Sequence, residues 1–398
     1  MKLFDEKLNW YKGNLHTHTT VSDGKRTPEE AVEIYRAKGY DFLALTDHRK
    51  ISLPRMDGNM LLTGGIEYDY MLADQCIHIV GIGLSGEPQL DPPGRGQCAQ
   101  EAIDAINSFG GMAILAHPSW SLNTLEVTLP LKGLTAMEIY NSTSGVPWNA
   151  ARADASQFVD LTYTHGKYTP VVSSDDSHTY TGEHTRSFTY VNAAELTLDS
   201  LKEAMRAGRM YASQGPRFIQ IELTEESLIV DCEPTRRIVF YSNLPWAGKR
   251  CFEEESGLIT HAEYPIKRNE TYLRVQLDDG EGNCAWSGAI PLAQKYCART
   301  QPPHRFDTLS PGMQLRAGAD TLCAGVADGG WHSHRLQGCR CAGVTSRGAT
   351  LAQQFLPHMC AGALHRMSRA HIRAAGGRNL PPTQAGQDAL RVESSFAE

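Results

Sequence analysis

Along residues 9–215, short β-branched or apolar runs alternate with helical segments, and nearly every run stops at a histidine or an acid. Such alternation is the pattern of an α/β domain, in which a helix returns the chain so that the next strand can join the sheet. The candidate strands are WYKGNLH (10–16), DFLALTDH (41–48), LLTGGIEY (61–68), IHIVGIG (77–83), MAILAHP (112–118), AMEIYN (136–141) and PVVSSDD (170–176). Three helices carry clear boundary signals. Thr27 is an N-cap, Pro28 suits the first turn, Glu30 completes a capping box and Gly39 is a stop. QCAQEAIDAINSFGG halts at Gly110–Gly111, and TLDSLKEAMRAGR opens at Thr197 and closes at Gly208.

Side chains near the carboxyl end of a strand face a barrel mouth or a sheet crevice, so strand ends are where chemistry collects. Here His16 and His18 end the first run, Asp47 and His48 the second, Glu67 the third and His117 the fifth. Asn141 ends the sixth, and Asp175, Asp176 and His178 end the seventh, whereas His78 opens the fourth instead. Residues i and i+2 of an extended chain project the same way, so His16 with His18, and Asp176 with His178, can share a cation. Imidazole and carboxylate together suit Zn²⁺, Mn²⁺ or Fe²⁺, and a first half with only Cys76 and Cys98 argues against a thiolate zinc site. An HxH pair, a strand histidine or a loop acid is commonplace by itself. It is the coincidence of His16, His18, Asp23, His48, Glu67, His78, His117, Asp176 and His178 that points to metal. That set exceeds the needs of one ion, and two or three ions bridged by a carboxylate fit it better.

HTH with its downstream Asp23, LTDH, the histidine of AHP and the DSH of 176–178 resemble the four motifs of the PHP (polymerase and histidinol phosphatase) superfamily. Within that family the chain is most similar to stand-alone bacterial metallohydrolases followed by a small β domain. The resemblance implies a distorted seven-stranded βα (TIM-like) barrel with metals at the strand ends. It implies that His16, His18, Glu67 and Asp176 hold one ion, that Glu67 bridges to a second held by His78 and His117, and that Asp23, His48 and His178 hold a third. Either Asp175 or Asp176 could be the ligand; the i, i+2 relation to His178 favours Asp176.

The function expected is a phosphoesterase acting on a small phosphorylated metabolite or nucleotide through a metal-bridging hydroxide, with Glu67 and Asp176 at the reacting centre. Arg186 is a candidate phosphate clamp or a plain surface arginine, His184 a candidate proton donor, and Asp47 a candidate orienter of His48 or of another ligand. Trp120 and Trp148 are pocket wall or ordinary packing. The same metal centre could cleave a carboxyl ester or carbamate. A 3′-end nuclease is disfavoured by a net charge of -7, and a non-catalytic scaffold by the intact ligand set. No apolar run nears the span of a bilayer, no secretory h-region follows the first charges, and sparse cysteine suits a reducing cytoplasm.

Three regions are expected: residues 1–215 as the metallohydrolase barrel, 216–292 as a small antiparallel β domain with an Asp279–Gly280 turn, and 293–398 as an atypical tail. In the tail lysine almost vanishes and no period survives, which reads as a disordered or foreign segment, the product of a shifted frame. His332, His334, Cys339 and Cys341 resemble a zinc site only superficially.

Overall fold

In the computed structural model, which describes residues 1–292 except 73, 89, 91–97 and 256, the helices begin and end where their caps dictate. The tail 293–398, with His332, His334, Cys339 and Cys341, lies outside the described residues. In helix α1 (Pro28–Ala37) the Thr27 hydroxyl accepts from the Glu30 N–H and the Glu30 carboxylate accepts from the Thr27 N–H. Helix α2 (Ala99–Ser108) stops before Gly110, whose positive φ reverses the chain. The short α3 (Leu125–Thr128) and α4 (Ser156–Thr164) carried no clear signal in the sequence. SQFVDLTYT is poor in strong helix formers, and it is the burial of Phe158, Val159, Thr162 and Tyr163 that holds α4. Thr197 caps α5 (Leu198–Arg206) by accepting from the Ser200 N–H.

The described residues form a mixed α/β fold with many strands and few helices. The strands of the first part are β1 (Asn9–Asn14), β2 (Phe42–Leu43), β3 (Arg55–Asp57), β4 (Met60–Leu62), β5 (Gly65–Met71) and β6 (Cys76–Ile82). They continue with β7 (Met112–Leu115), β8 (Leu134–Asn141), β9 (Val171–Ser174), β10 (Phe188–Ala193) and β11 (Met210–Ser213). In one sheet β1 lies between β2, to which it is parallel, and β10, to which it is antiparallel, and beyond β2 the sheet runs on through β4 and β3. A second sheet has the order β5-β6-β7-β8-β9, its first three strands antiparallel and its last three parallel.

Two features depart from the expected TIM-like barrel. The run expected as one strand over 61–68 is two, β4 and β5, in different sheets. Gly64 breaks it at a φ of 68°, where a Cβ would come within 2.6 Å of the Ser52 carbonyl oxygen, so only glycine fits the turn. The two sheets are also not joined by a continuous ladder. Isolated bridges link them, Thr17 to Ser177 and His48 to Glu67, both between expected ligand segments.

Beyond residue 215 come β12 (Phe218–Leu223), β13 (Ser227–Thr235), β14 (Arg237–Tyr241), β15 (Cys251–Phe252) and β16 (Ile259–Pro265). β17 (Tyr272–Asp278), β18 (Cys284–Ser287) and β19 (Ile290–Pro291) follow, and all pair antiparallel, as alternating polar and apolar residues require. β18 pairs with β11, so one sheet runs unbroken across residue 215. No helix among the described residues is long and apolar enough to cross a membrane.

A buried ion pair ties α4 to β17. Arg274, fully buried, places Nε and Nη2 each 2.6 Å from an Asp160 oxygen and lies 3.9 Å from the centroid of the Tyr241 ring. Removing one partner leaves the other charge uncompensated in a dry place. Asp160→Asn should therefore cost about 3–5 kcal/mol of unfolding free energy, and Asp160→Leu combined with Arg274→Met should recover most of it. Denaturant midpoints of the two variants measure this directly.

Candidate metal centre

His16 and His18 lie past the end of β1, in a segment that stays extended because its backbone is held on both sides. The Thr17 N–H donates to Thr46 Oγ1 at 3.0 Å, the His18 N–H to the Ser177 carbonyl at 3.0 Å, and the Asp176 N–H to the His16 carbonyl at 2.9 Å. The two imidazoles consequently face the same way, with Nε2 atoms 3.2 Å apart. His18 Nε2 is 3.1 Å from both Glu67 Oε2 and Asp176 Oδ1, and His16 Nε2 is 3.3 Å and 3.2 Å from the same atoms.

Glu67, on β5, divides its oxygens between two groups. Oε2 faces His16, His18 and His48, the last at 3.2 Å, while Oε1 is 2.8 Å from His78 Nδ1 and 3.5 Å from His117 Nε2. Asp23, on the loop after His18, sits 3.5 Å from His178 Nε2 and 3.9 Å from His48 Nε2. All nine expected ligands thus converge. They form overlapping groups: His16, His18 and Glu67; His16, His117 and Asp176; Glu67, His78 and His117; and His18, Asp23, His48 and His178. Within each group one ligand atom per residue lies within 4.8 Å of the others.

Whether these residues suit a cation is answered by their unpaired atoms. Asp176 Oδ1 and His48 Nδ1 are buried and make no hydrogen bond, a costly state that a divalent ion relieves. The second nitrogens of several imidazoles are, in contrast, tied. His16 Nδ1 is 3.0 Å from Glu138, His117 Nδ1 is 2.9 Å from Ser121 Oγ, and His178 Nδ1 is 2.8 Å from the Asp176 carbonyl. Such partners orient each ring and set which nitrogen is free for a metal. These clustered imidazoles and carboxylates fit metal binding.

The charge pattern agrees. Burial works against ionisation of Glu67 and Asp176, but the surrounding histidines hold both carboxyls well below the usual carboxylate range. Burial likewise opposes charge on His78, yet Glu67 outweighs it and pushes His78 up to about 10. Asp176 and Asp23 do the same for His178, pushed up to about 9. His48 is the exception: burial lowers it, and His18 and His78 add repulsion that Glu67 does not offset.

Sequence reasoning missed Glu138. It is buried on β8, holds His16 through one oxygen, and accepts the His117 N–H at 2.7 Å and the Asn141 amide at 2.8 Å through the other. The signal was present: an acid inside the apolar AMEIY needs a reason to be there. Asp175 and Asp176 have different surroundings, Asp176 lying among the histidines. Asp175 points away and accepts from Tyr35, Ser142 and the N–H groups of Thr185, Arg186 and Ser187, while burial raises it to about 6. Asp47 does not orient His48. Its carboxylate instead accepts from the N–H groups of Thr19 and Ser22 and from both hydroxyls, pinning the loop that carries Asp23.

A cavity of about 290 Å³ opens over the ligands and is lined also by Trp120, Thr143, Ser144 and Asn149. The Trp120 ring meets His117 edge-on at 4.9 Å. Arg186 and His184 are not among the lining residues. The grip of Asp175 on three successive N–H groups turns residues 185–187 away from the ligands. Half-buried His184 lies against Tyr180, and exposed Arg186 over Trp148, with Trp148 lining a different cavity.

No family model and no curated protein matches the chain. Among solved structures it is similar to a two-domain protein of Bacteroides vulgatus containing a predicted PHP-like metal-dependent phosphoesterase, at 16% identity and a TM-score of 0.39, over 72% of this chain and 96% of that one. A provisionally described metal-dependent phosphoesterase of Bifidobacterium adolescentis is 15% identical over 49% of this chain and 96% of its own, with a TM-score of 0.34. An amidohydrolase of Chromobacterium violaceum is 18% identical over 43% and 89%, with a TM-score of 0.33. These are likenesses of partial shape, and the weight here rests on the ligand geometry.

Two outcomes follow from that geometry. Glu138→Gln should weaken metal binding about 10–100-fold, as loss of a ligand's orienting partner does, measured by competition with a chelator. Metal uptake should release protons near pH 7.5 and tighten as pH rises towards 9–10, because the metal displaces the protons that His78 and His178 hold below about 10 and about 9. Calorimetry in buffers of different ionisation enthalpy reads the proton count.

Proposed function

We propose that the chain is a PHP-type metal-dependent hydrolase, and that its substrate is a small phosphoric ester. The observation that carries the metal reading is Glu67, whose two oxygens face two separate histidine groups, with Asp176 Oδ1 beside them, close to His16 and His18 but without a hydrogen bond. His16, His18, Glu67 and Asp176 would hold one ion, Glu67, His78 and His117 a second, and Asp23, His48 and His178 a third. Divalent ions there supply electrophilic activation of the phosphoryl group and acidify a water. The bridges Thr17–Ser177 and His48–Glu67, which bring the two sheets together at the ligand segments, support reading the strands as a distorted seven-stranded barrel.

The protein's own part is positioning. Glu138, Ser121 and the Asp176 carbonyl fix ring orientations, so each free nitrogen is aimed before substrate arrives. Trp120 lends the lining an apolar face beside His78 and His117, and Thr143, Ser144 and Asn149 add polar groups. Three ligand groups around one cavity favour a phosphoryl centre over a carboxyl ester. A phosphoryl group spreads charge over several oxygens, whereas an ester carbonyl offers one. A cavity of about 290 Å³ and the acidic balance of the chain favour a small metabolite over a nucleic acid.

The test is a panel of aryl phosphates, aryl phosphodiesters and aryl carboxyl esters offered to protein stripped of metal and resupplied with Mn²⁺, Zn²⁺ or Fe²⁺. A phosphoric ester should turn over only in resupplied protein, and His117→Ala should lower kcat/KM at least about 100-fold, the usual scale for losing a group acting at the reacting centre. Preferential cleavage of the carboxyl ester would move the reading to that chemistry, and silence on the whole panel to a scaffold.

A further inference from the structure

A second cavity of about 260 Å³ lies across a single loop from the metal pocket, walled by Tyr140, Ser142, Val146, Trp148, Asp154 and Arg186 among others. The loop serves both sides. Thr143, Ser144 and Asn149 line the metal pocket, whereas Ser142, Val146 and Trp148 line the second cavity. Adjacent residues of this loop, such as Ser142 with Thr143 and Trp148 with Asn149, thus line different cavities.

The lining has a recognisable chemistry. The Trp148 indole is held in place by its Nε1–H, which donates to Thr181 Oγ1 at 3.1 Å. The Arg186 guanidinium lies 5.3 Å from the Trp148 ring centroid and has no carboxylate partner among the described residues, in a chain where acids outnumber bases 45 to 38. Its backbone is anchored, since the Arg186 N–H donates to Asp175 Oδ1 at 3.0 Å, one residue from the ligand Asp176. Asp154 stands in the same lining, its Oδ1 accepting the Ser156 N–H at 2.7 Å.

We propose that this cavity is the subsite for the leaving-group part of the substrate, and that it selects a flat aromatic ring bearing an anionic substituent. The reading rests on the phosphoester function proposed above. With the scissile group in the metal pocket, the remainder of the substrate crosses the loop, sets its ring against Trp148 and Tyr140, and delivers its anion to the free fork of Arg186. Asp154 repels a second negative charge and so confines the anion to the Arg186 side. Arg186 is thereby a specificity-determining residue for the distal end of the substrate, which accounts for a lone guanidinium that the metal pocket does not use.

The experiment compares phenyl phosphate with 4-carboxyphenyl phosphate on metal-loaded protein. The wild type should show a KM for the carboxylated ester at least about tenfold lower, the scale of one charge-assisted hydrogen bond, and Arg186→Gln should bring the two to within about twofold. Arg186→Lys, which keeps the charge without the fork, should retain part of the preference. Trp148→Ala should raise KM for both esters, because the ring contact is common to them. Equal KM values in the wild type, or an undiminished preference in Arg186→Gln, overturn the subsite. If neither ester is hydrolysed, the phosphoester reading falls and calorimetric binding of 4-carboxyphenyl phosphate decides the subsite. Binding weakened about tenfold by Arg186→Gln supports it, and absent or unaltered binding overturns it.

Discussion

A single buried carboxylate organises this protein. Glu67 is 1% exposed, and five imidazoles, those of His16, His18, His48, His78 and His117, have a nitrogen within 3.5 Å of its oxygens. An isolated carboxylate at that depth would be strongly unfavourable, so the fold must bring positive charge to it from several directions. His16, His18 and His78, whose pKa values the neighbouring carboxylates raise against burial, favour that charge, and bound cations would take the place of their protons. The same five rings come from four segments of chain, and holding them within reach of one side chain is what the two sheets and their isolated bridges accomplish.

Beneath that layer lies a second one that touches no substrate. Glu138 holds His16 and the backbone of His117, while Asp175 gathers Tyr35 of α1, Ser142 and the N–H groups of residues 185–187. Two successive aspartates thus take opposite duties. Asp176, at a φ of 54°, turns its carboxylate to the ligands, and Asp175 turns its own to the frame. Successive side chains of an extended chain alternate sides, so the end of β9 already separates the two, and at Asp176 the backbone leaves the extended form. Asp47 belongs with this frame, since it fixes the loop that offers Asp23.

The loop following β8 joins the two parts of the site. Its residues alternate between the metal pocket and the cavity of Trp148 and Arg186, and its first residues hydrogen-bond to Asp175 and to the Asp176 carbonyl. Residues of one short backbone stretch therefore line both cavities. On the proposed reading, chemistry and specificity would be set by the same few residues after a strand end, in line with the general division between a scaffold and the loops it presents.

Much was legible in the sequence because it was local. Capping boxes, glycine stops and the i, i+2 geometry of an extended chain act within a few residues, so α1, the end of α2, the start of α5 and the pairing of His16 with His18 could be read directly. The ligand set could be listed as well, because histidines and acids at the ends of apolar runs have few other reasons to recur. Tertiary structure alone decided the rest. The break at Gly64 depends on a carbonyl from Ser52, the helicity of α4 on burial, the part played by Glu138 on rings distant in the chain, and the exclusion of Arg186 and His184 from the pocket on three N–H groups captured by Asp175. Residue type and spacing determine which side chains can bind a cation, but which way a side chain points is settled by hydrogen bonds to groups that no local pattern encodes.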